Sequence, residues 1–504
     1  MILYARYAST LRQTLRRLKD EVATSTGMKI IKEDYKKIAY CLLFVVGIVF
    51  FIVLPSGISF EYPDSRYYTD VTSYGAVMPI YPLFVHFMQL MAGVEGYKSA
   101  IVYVQGAIAI ICIQYFIYEL DRIIKLSVVA LVFSYMLCLL PFTITLPDRI
   151  ITQCILTEGL TYSLTYLFVV LMYKAMIKDS EKYLVWSYTF SMLLYLIRSQ
   201  SIISILLVGV VHIWLIIRRK EKNVGSVIRS VLRAVTATVL TVALAFALHT
   251  MYINTVVPRI NNEAEAEQEP TEGSSDVIQN ITPPTSQFSD IITIKGFFLA
   301  TENDGKRYHN PDVEGAYERV YEELSKHKLL LENNKVSYAD SWEGLGEERL
   351  GMIAYQTILD YNVENSIGEG SWNQAISQAK DMAVRLILWH PFSFFAVFVR
   401  LFFAALVAGI FFQPPSYLLI CEIIALLIII LTACVLVIEK KSIKPEVIFI
   451  RLVSICIFVF AFIISAVHIP IQRYMVYFQG MFYIGWIAYL ENNIITRFIE
   501  KKNS

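Results

Sequence analysis

The chain has 504 residues, 56% of them hydrophobic and only 17% charged, with a mean hydropathy of +0.53. That is too apolar for a soluble protein of this size and points to a bilayer. The 44 basic and 43 acidic side chains nearly cancel and are sorted by loop, so no basic face exists to support a nucleic-acid partner.

Residues 1–37 form the first element. Tyr4 to Leu18 interleaves Arg6, Arg12, Arg16 and Arg17 with apolar positions at helical spacing, which suits a basic amphipathic helix on an anionic cytoplasmic leaflet. The short apolar core and cleavage site of a signal peptide are missing from this stretch.

A span takes about 20 apolar residues. Runs of that kind recur at 38–56, 98–119, 126–146, 150–175, 183–198, 200–217, 227–250, 391–412, 417–438, 446–467 and 473–490. The expected fold class is therefore an all-α integral membrane protein, a helical bundle of 10–12 spans with a small external helical cap. Basic clusters at Lys36-Lys37, Arg122 to Lys125, Lys174 to Lys182 and Arg218 to Lys222 belong in the cytoplasm by the positive-inside rule. The amino terminus is then inside, and four segments are outside: the loop 57–97, the turn at Pro147-Asp148-Arg149, the turn at Arg198-Ser199-Gln200, and residues 251–390.

The basic clusters at Lys440 to Lys444 and Arg497 to Lys502 break the parity of eleven runs. An interfacial or re-entrant piece within 383–412, ending at His390-Pro391, leaves ten crossings and an inside tail; eleven crossings put the tail outside. The chain thus divides into the basic segment 1–37, a membrane module 38–250, an external region 251–390, membrane helices 391–490 and a tail 491–504. Within the external region, the acidic Pro/Ser-rich stretch near 261–290 reads as disordered. Three amphipathic stripes from about residue 310 read as the cap. No Gly-rich phosphate loop or DxD-like pair is present, so a sugar nucleotide is not the expected ligand.

Seven cysteines, at 41, 112, 138, 154, 421, 434 and 456, sit in or beside apolar runs without a CxxC pair. They read as small core hydrophobes, not as a disulfide framework or thiolate site. His86, His212 and His249 read as packed side chains, while His390 and His468 stand beside prolines at span ends.

The candidate chemistry lies at the outer ends of the spans. Asp64 follows the first span by about eight residues, so it belongs at the membrane surface, where partial desolvation strengthens a carboxylate as a base toward a hydroxyl. Arg66 either holds Asp64 ionised or grips a phosphate. Glu158 falls near the outer end of the fourth span, with no basic residue within a helical turn, and an ionisable residue there is a functional candidate by default. Asp148 marks the turn before it. Arg198, at the next outer turn, and Arg473, opening the last span, suit an anionic lipid headgroup. The bland alternatives are an aromatic belt with a solvated ion pair at Asp64, an interhelical hydrogen bond at Glu158, and snorkelling arginines.

These residues resemble the GT-C class of polytopic lipid-linked glycosyltransferases, the superfamily of protein O-mannosyltransferases and aminoarabinose transferases. The likeness rests on PDSRYY after the first span, GxxxPIYP from Gly75 to Pro82, a span opening with LTEGL, LIRSQSI at a later outer turn, and IPIQRYMVYF near the carboxy terminus. It covers about the first 250 residues. By that resemblance Asp64 matches the family's catalytic base or acceptor-positioning group, Glu158 and Asp148 stand as the second acid that positions acceptor or metal, Arg66 and Tyr67 match the flanking pair, and Gln200 and Tyr474 join Tyr67 in the substrate cleft. Many members carry two adjacent acids in the first loop; here Pro63 and Ser65 flank a single Asp64. That departure leaves no metal ligand assigned and a divalent cation (Mg or Mn) as the one cofactor still open.

The resemblance implies transfer of a sugar from a polyprenyl-phosphate donor to a glycan, lipid or protein acceptor on the outer face of the plasma membrane, with inversion. A flippase of lipid-linked saccharide is the rival, although the inverted repeats and broken spans of such transporters are not found. An oligosaccharide polymerase or ligase differs only in donor size.

Overall fold

The computed structural model describes residues 25–70, 73–74, 77–144, 149–219, 224–260, 287–333, 347–368, 370–411, 418–440, 442–467 and 475–495. The basic segment Tyr4 to Leu18, the acidic stretch up to residue 286 and the tail from 496 lie outside the described residues. Among the described residues all regular structure is helical, and the one bridge between extended segments joins Phe60 and Cys154. Among the described residues, seven helices are long and apolar enough to cross a bilayer. The chain is an all-α multi-span membrane protein.

The chain runs from one end of the bundle to the other along α1 (Ser25–Ile48), α3 (Ile80–Ile124), α4 (Val128–Ile144), α5 (Thr157–Lys178), α6 (Glu181–Ile197), α7 (Ile202–Arg218) and α8 (Val224–Met251). A short α2 (Arg66–Thr69) lies in the first loop. After the cap come α13 (Pro391–Ile410), α14 (Leu418–Ile438), α15 (Pro445–Val467) and α16 (Gln479–Leu490).

Polar contacts identify the two ends. At one, Lys36 Nζ lies 2.8 Å from Asp121 Oδ1, the Ser127 amide donates to Glu491 at 3.1 Å, and Lys444 donates to Asn493 at 2.6 Å. At the other, Lys295 of the cap donates to the carbonyls of Ser465 and Ala466, at 2.6 and 2.8 Å, where α15 ends. Between the cap and α15 lie α13 and α14. The first starts at the cap end, where His390 Nε2 lies 2.8 Å from Asp304 Oδ2. The second ends where Arg451 donates to the carbonyls of Glu439 and Ser442, at the opposite end.

At the centre is α5, buried along most of its length. Its hydroxyls would be costly in apolar surroundings if left unpaired. Instead Thr161, Ser163 and Thr165 each donate to the carbonyl four residues earlier, at 2.7, 2.9 and 2.7 Å, which satisfies them inside the helix. Tyr166 Oη closes the contact to α4 by donating to the Cys138 carbonyl at 2.9 Å.

The cap consists of α9 (Gln287–Phe298), a 3₁₀ turn Glu302–Arg307, α10 (Pro311–Lys326), α11 (Glu347–Glu364) and α12 (Trp372–Trp389). They enclose a core of their own that includes Phe297, Tyr317, Ile358 and Met382 and continues into Val397 and Leu401 of α13. The starts of α10 and α12 follow sequence signals: Pro311 stands at the first turn after Asn310, whose Oδ1 accepts the Asp312 amide at 2.9 Å, and Ser371 caps α12. The helix α9 was not expected. Its first residues fall in the stretch read as disordered, yet Gly296 lets it cross α12 so closely that a Cβ there would stand 2.5 Å from Ala383 backbone atoms.

Candidate functional site

The loop carrying Asp64 is fastened to the segment that leads into α5. Phe60 donates to the Gln153 carbonyl at 2.9 Å, and the Ile155 amide donates back to Phe60 at 3.1 Å. Ser65 Oγ accepts the Tyr62 amide at 2.8 Å and donates to the Ile155 carbonyl at 2.9 Å. The guanidinium of Arg149 lies 3.7 Å from the centre of the Phe60 ring, a cation–π contact on the same seam. Below it, the buried Gln105 of α3 accepts from Tyr81 Oη at 3.2 Å and donates to the carbonyls of Thr152 and Cys154 at 3.0 and 3.2 Å. Two loops about 90 residues apart in sequence become one surface.

Behind that surface Glu158 occupies the first turn of α5, where the helix dipole favours a carboxylate. Arg198, in extended conformation at φ −150° just past α6, places Nη1 2.6 Å from Glu158 Oε1, with the two side chains 9% and 3% exposed. The same nitrogen donates to Thr157 Oγ1 at 3.0 Å, and Thr157 Oγ1 donates to Glu158 Oε2 at 3.2 Å. Arg198 Nε donates to Gln200 Oε1 at 2.8 Å. Along its own helix Glu158 has no cation within a turn; its partner arrives from the antiparallel α6.

Tyr68 joins the loop to this pair. Its ring packs edge-to-face on Tyr81, centroids 4.9 Å apart. Burial raises its phenol pKa well above the usual range; the charge of Glu158 adds to the rise, Arg198 opposes it, Asp64 adds further, and a hydrogen bond with Thr157 lowers it. The three charged groups therefore act on one phenol. Asp64 and Tyr67 are half-buried and Arg66 is exposed; Arg66 Nη2 donates to Tyr67 Oη at 3.1 Å, its guanidinium 5.0 Å from the Tyr67 ring centre. Asp148, Arg473 and Tyr474 lie outside the described residues.

Sequence reading did not single out Thr157, Gln105 or Tyr68. No local signal marks them, since Gln105 bonds Thr152 and Cys154, Thr157 meets Arg198, and Tyr68 answers to Glu158 and Arg198, all across long stretches of chain. Among the described residues, no three His, Cys, Asp or Glu side chains converge to hold a metal ion. Glu158 is engaged by Arg198. The buried Cys154 thiol, on the same seam, is pushed up to about 12, chiefly by burial, which marks it as a packed and inert thiol.

Compared with family models, curated proteins and solved structures, the chain matches none of them.

Proposed function

We propose that the protein is a GT-C type glycosyltransferase of the plasma membrane, its cap and first loop facing outside, using a polyprenyl-phosphate sugar as donor. The observation that carries this reading is that a buried glutamate–arginine pair and the first-loop acid all bear electrostatically on the one buried phenol of Tyr68, at the end of the bundle where a lipid headgroup would lie. Structural ion pairs also occur in membrane bundles. A half-buried acid that shares a tyrosine's electrostatic surroundings with such a pair is in addition a constellation suited to proton abstraction next to an anion.

In the proposed reaction the acceptor hydroxyl gives its proton to the Asp64 carboxylate. Its oxygen forms a bond to the anomeric carbon as the bond from that carbon to the phosphate oxygen breaks, and polyprenyl phosphate leaves with the electron pair. A single displacement inverts the configuration. The Arg198 cation, oriented by Glu158, Thr157 and Gln200, stabilises the charge on the departing phosphate in a water-poor site. Glycan, lipid and protein acceptors all satisfy this chemistry.

The test is transfer of radiolabelled sugar from a polyprenyl-phosphate donor to endogenous acceptor in proteoliposomes, with wild type and Asp64→Asn compared. Labelled acceptor formed by wild type and lost in the variant supports the reading. Equal transfer by both rejects Asp64 as the base, and movement of the donor between leaflets without transfer favours a flippase.

A further inference from the structure

The helix α3 is broken at Gly93, whose φ of +69° and ψ of 172° lie outside the helical region. Its outer arm, residues 80–92, folds back on the long arm. Tyr81 reaches Gln105 at 3.2 Å, whereas 24 residues of unbroken helix would separate them by about 36 Å. One side of the outer arm is used in packing: Tyr81, Val85 and Met88 are buried with Tyr97, Ile101 and Leu160. The other side and the turn are bare. Leu90 is 73% exposed, Met91 71%, Val94 85% and Phe87 53%, and nothing lies within 4 Å of a Cβ built on Gly93.

The position of this tip matters. The first pass ends where Ser99 Oγ donates to the Gly57 carbonyl at 2.8 Å and Lys98 Nζ meets Glu61 at 2.5 Å. The hairpin continues from Lys98 to Gly93, roughly 8 Å further at the helical rise per residue. An arm of 13 residues is too short to be a span, so its bare apolar face is not explained by crossing the bilayer. In water a patch of this kind is unfavourable and marks an interaction surface.

We propose that the hairpin tip of Phe87, Leu90, Met91 and Val94 is seated at the headgroup–acyl boundary of the leaflet at the cap end, its apolar side chains turned to lipid. The occupant follows from continuity: the tip extends the lipid-facing side of the same helix, where Tyr103, Ile111 and Tyr118 are also exposed. The arrangement is that of an amphipathic element seated at the interface with its apolar face buried. Because the packed side of the arm carries Tyr81, on which Tyr68 rests, the leaflet supports the floor of the candidate site. The proposal needs the membrane fold and not the glycosyl-transfer reading.

Full-length protein in phosphatidylcholine nanodiscs containing an acyl-chain diazirine lipid, photolysed and mapped by mass spectrometry, tests it. Lipid adducts are expected on the peptide containing Leu90, Met91 and Val94 at a level comparable with the peptide containing Ile111. They should be lost selectively in a Leu90→Asp, Val94→Asp double variant that keeps the Ile111 adducts. Adducts on Ile111 alone, with Met91 readily labelled by aqueous hydroxyl radicals, overturn the proposal, as do chain-to-chain crosslinks at the tip. Loss of sugar transfer with tip adducts retained would leave it standing, so the two readings fail separately.

Discussion

Arg198 Nη1 stands 2.6 Å from Glu158 Oε1, each side chain almost wholly buried, and this contact joins the start of α5 to the turn after α6. Taking two ions out of water is unfavourable unless each finds the other in good geometry and further hydrogen bonds complete the set. Thr157 and Gln200 supply those bonds. The pair therefore holds the start of α5 and the turn after α6 in a fixed relation.

Removing one member leaves the other charge buried and alone. Glu158→Gln or Arg198→Met should each destabilise the fold by roughly 3–5 kcal/mol, and the double variant should recover much of that loss. Unfolding of the four proteins in one detergent checks this. A double variant as unstable as the sum of the singles would mean the two side chains act independently.

Asp64 behaves differently. Its half-buried position in a hydrogen-bonded loop makes Asp64→Asn a mild change for folding, while loss of a general base lowers turnover by about 10²–10⁴-fold. Initial rates at saturating donor, alongside melting temperatures, separate the two effects; a stable variant with near-normal rate removes the base assignment.

Burial pushes both the Cys154 thiol and the Tyr74 phenol up to about 12. In the folded state each then holds its proton more tightly than in the unfolded chain. Their contribution is fully present below the unfolded values of about 9 and 10 and is lost as pH rises through 12. Stability should therefore fall between about pH 9 and 12, and Cys154→Ala should flatten the lower part of that fall. Maleimide should leave Cys154 unlabelled in the folded protein at neutral pH, and rapid labelling would contradict the packing described.

Lys295 ties the cap to the bundle. Its ammonium is buried and donates to the last carbonyls of α15, a favourable place for a cation at a helix end. Lys295→Met should cost about 1.5–3 kcal/mol, the range for a hydrogen bond to a charged group. Faster hydrogen exchange is expected in α9 and at the end of α15, with the start of α5 unchanged; uniform exchange across the bundle would refute a local tie.

Much of the bundle was legible because bilayer spans announce themselves as long apolar runs, and the cap helices α10, α11 and α12 as amphipathic stripes. The break at Gly93 was not. Nothing local tells a helix to fold back when both arms are apolar, and the decision lies in Tyr81 meeting Gln105. The helix α9 was missed because its twelve residues follow an acidic Pro/Ser-rich run, and its stability comes from close packing on α12.

The amino-acid sequence by itself determined the membrane class, the approximate spans, and the acids and arginines that belong at span ends, because the cost of placing charge in lipid is a property of each residue and its neighbours. Only the tertiary structure decided that Glu158 belongs to Arg198, that Tyr81 folds back to Gln105, and that the first loop is fastened to the segment before α5. Those are relations between segments far apart in the chain, fixed by which helices pack side by side and therefore absent from any local pattern.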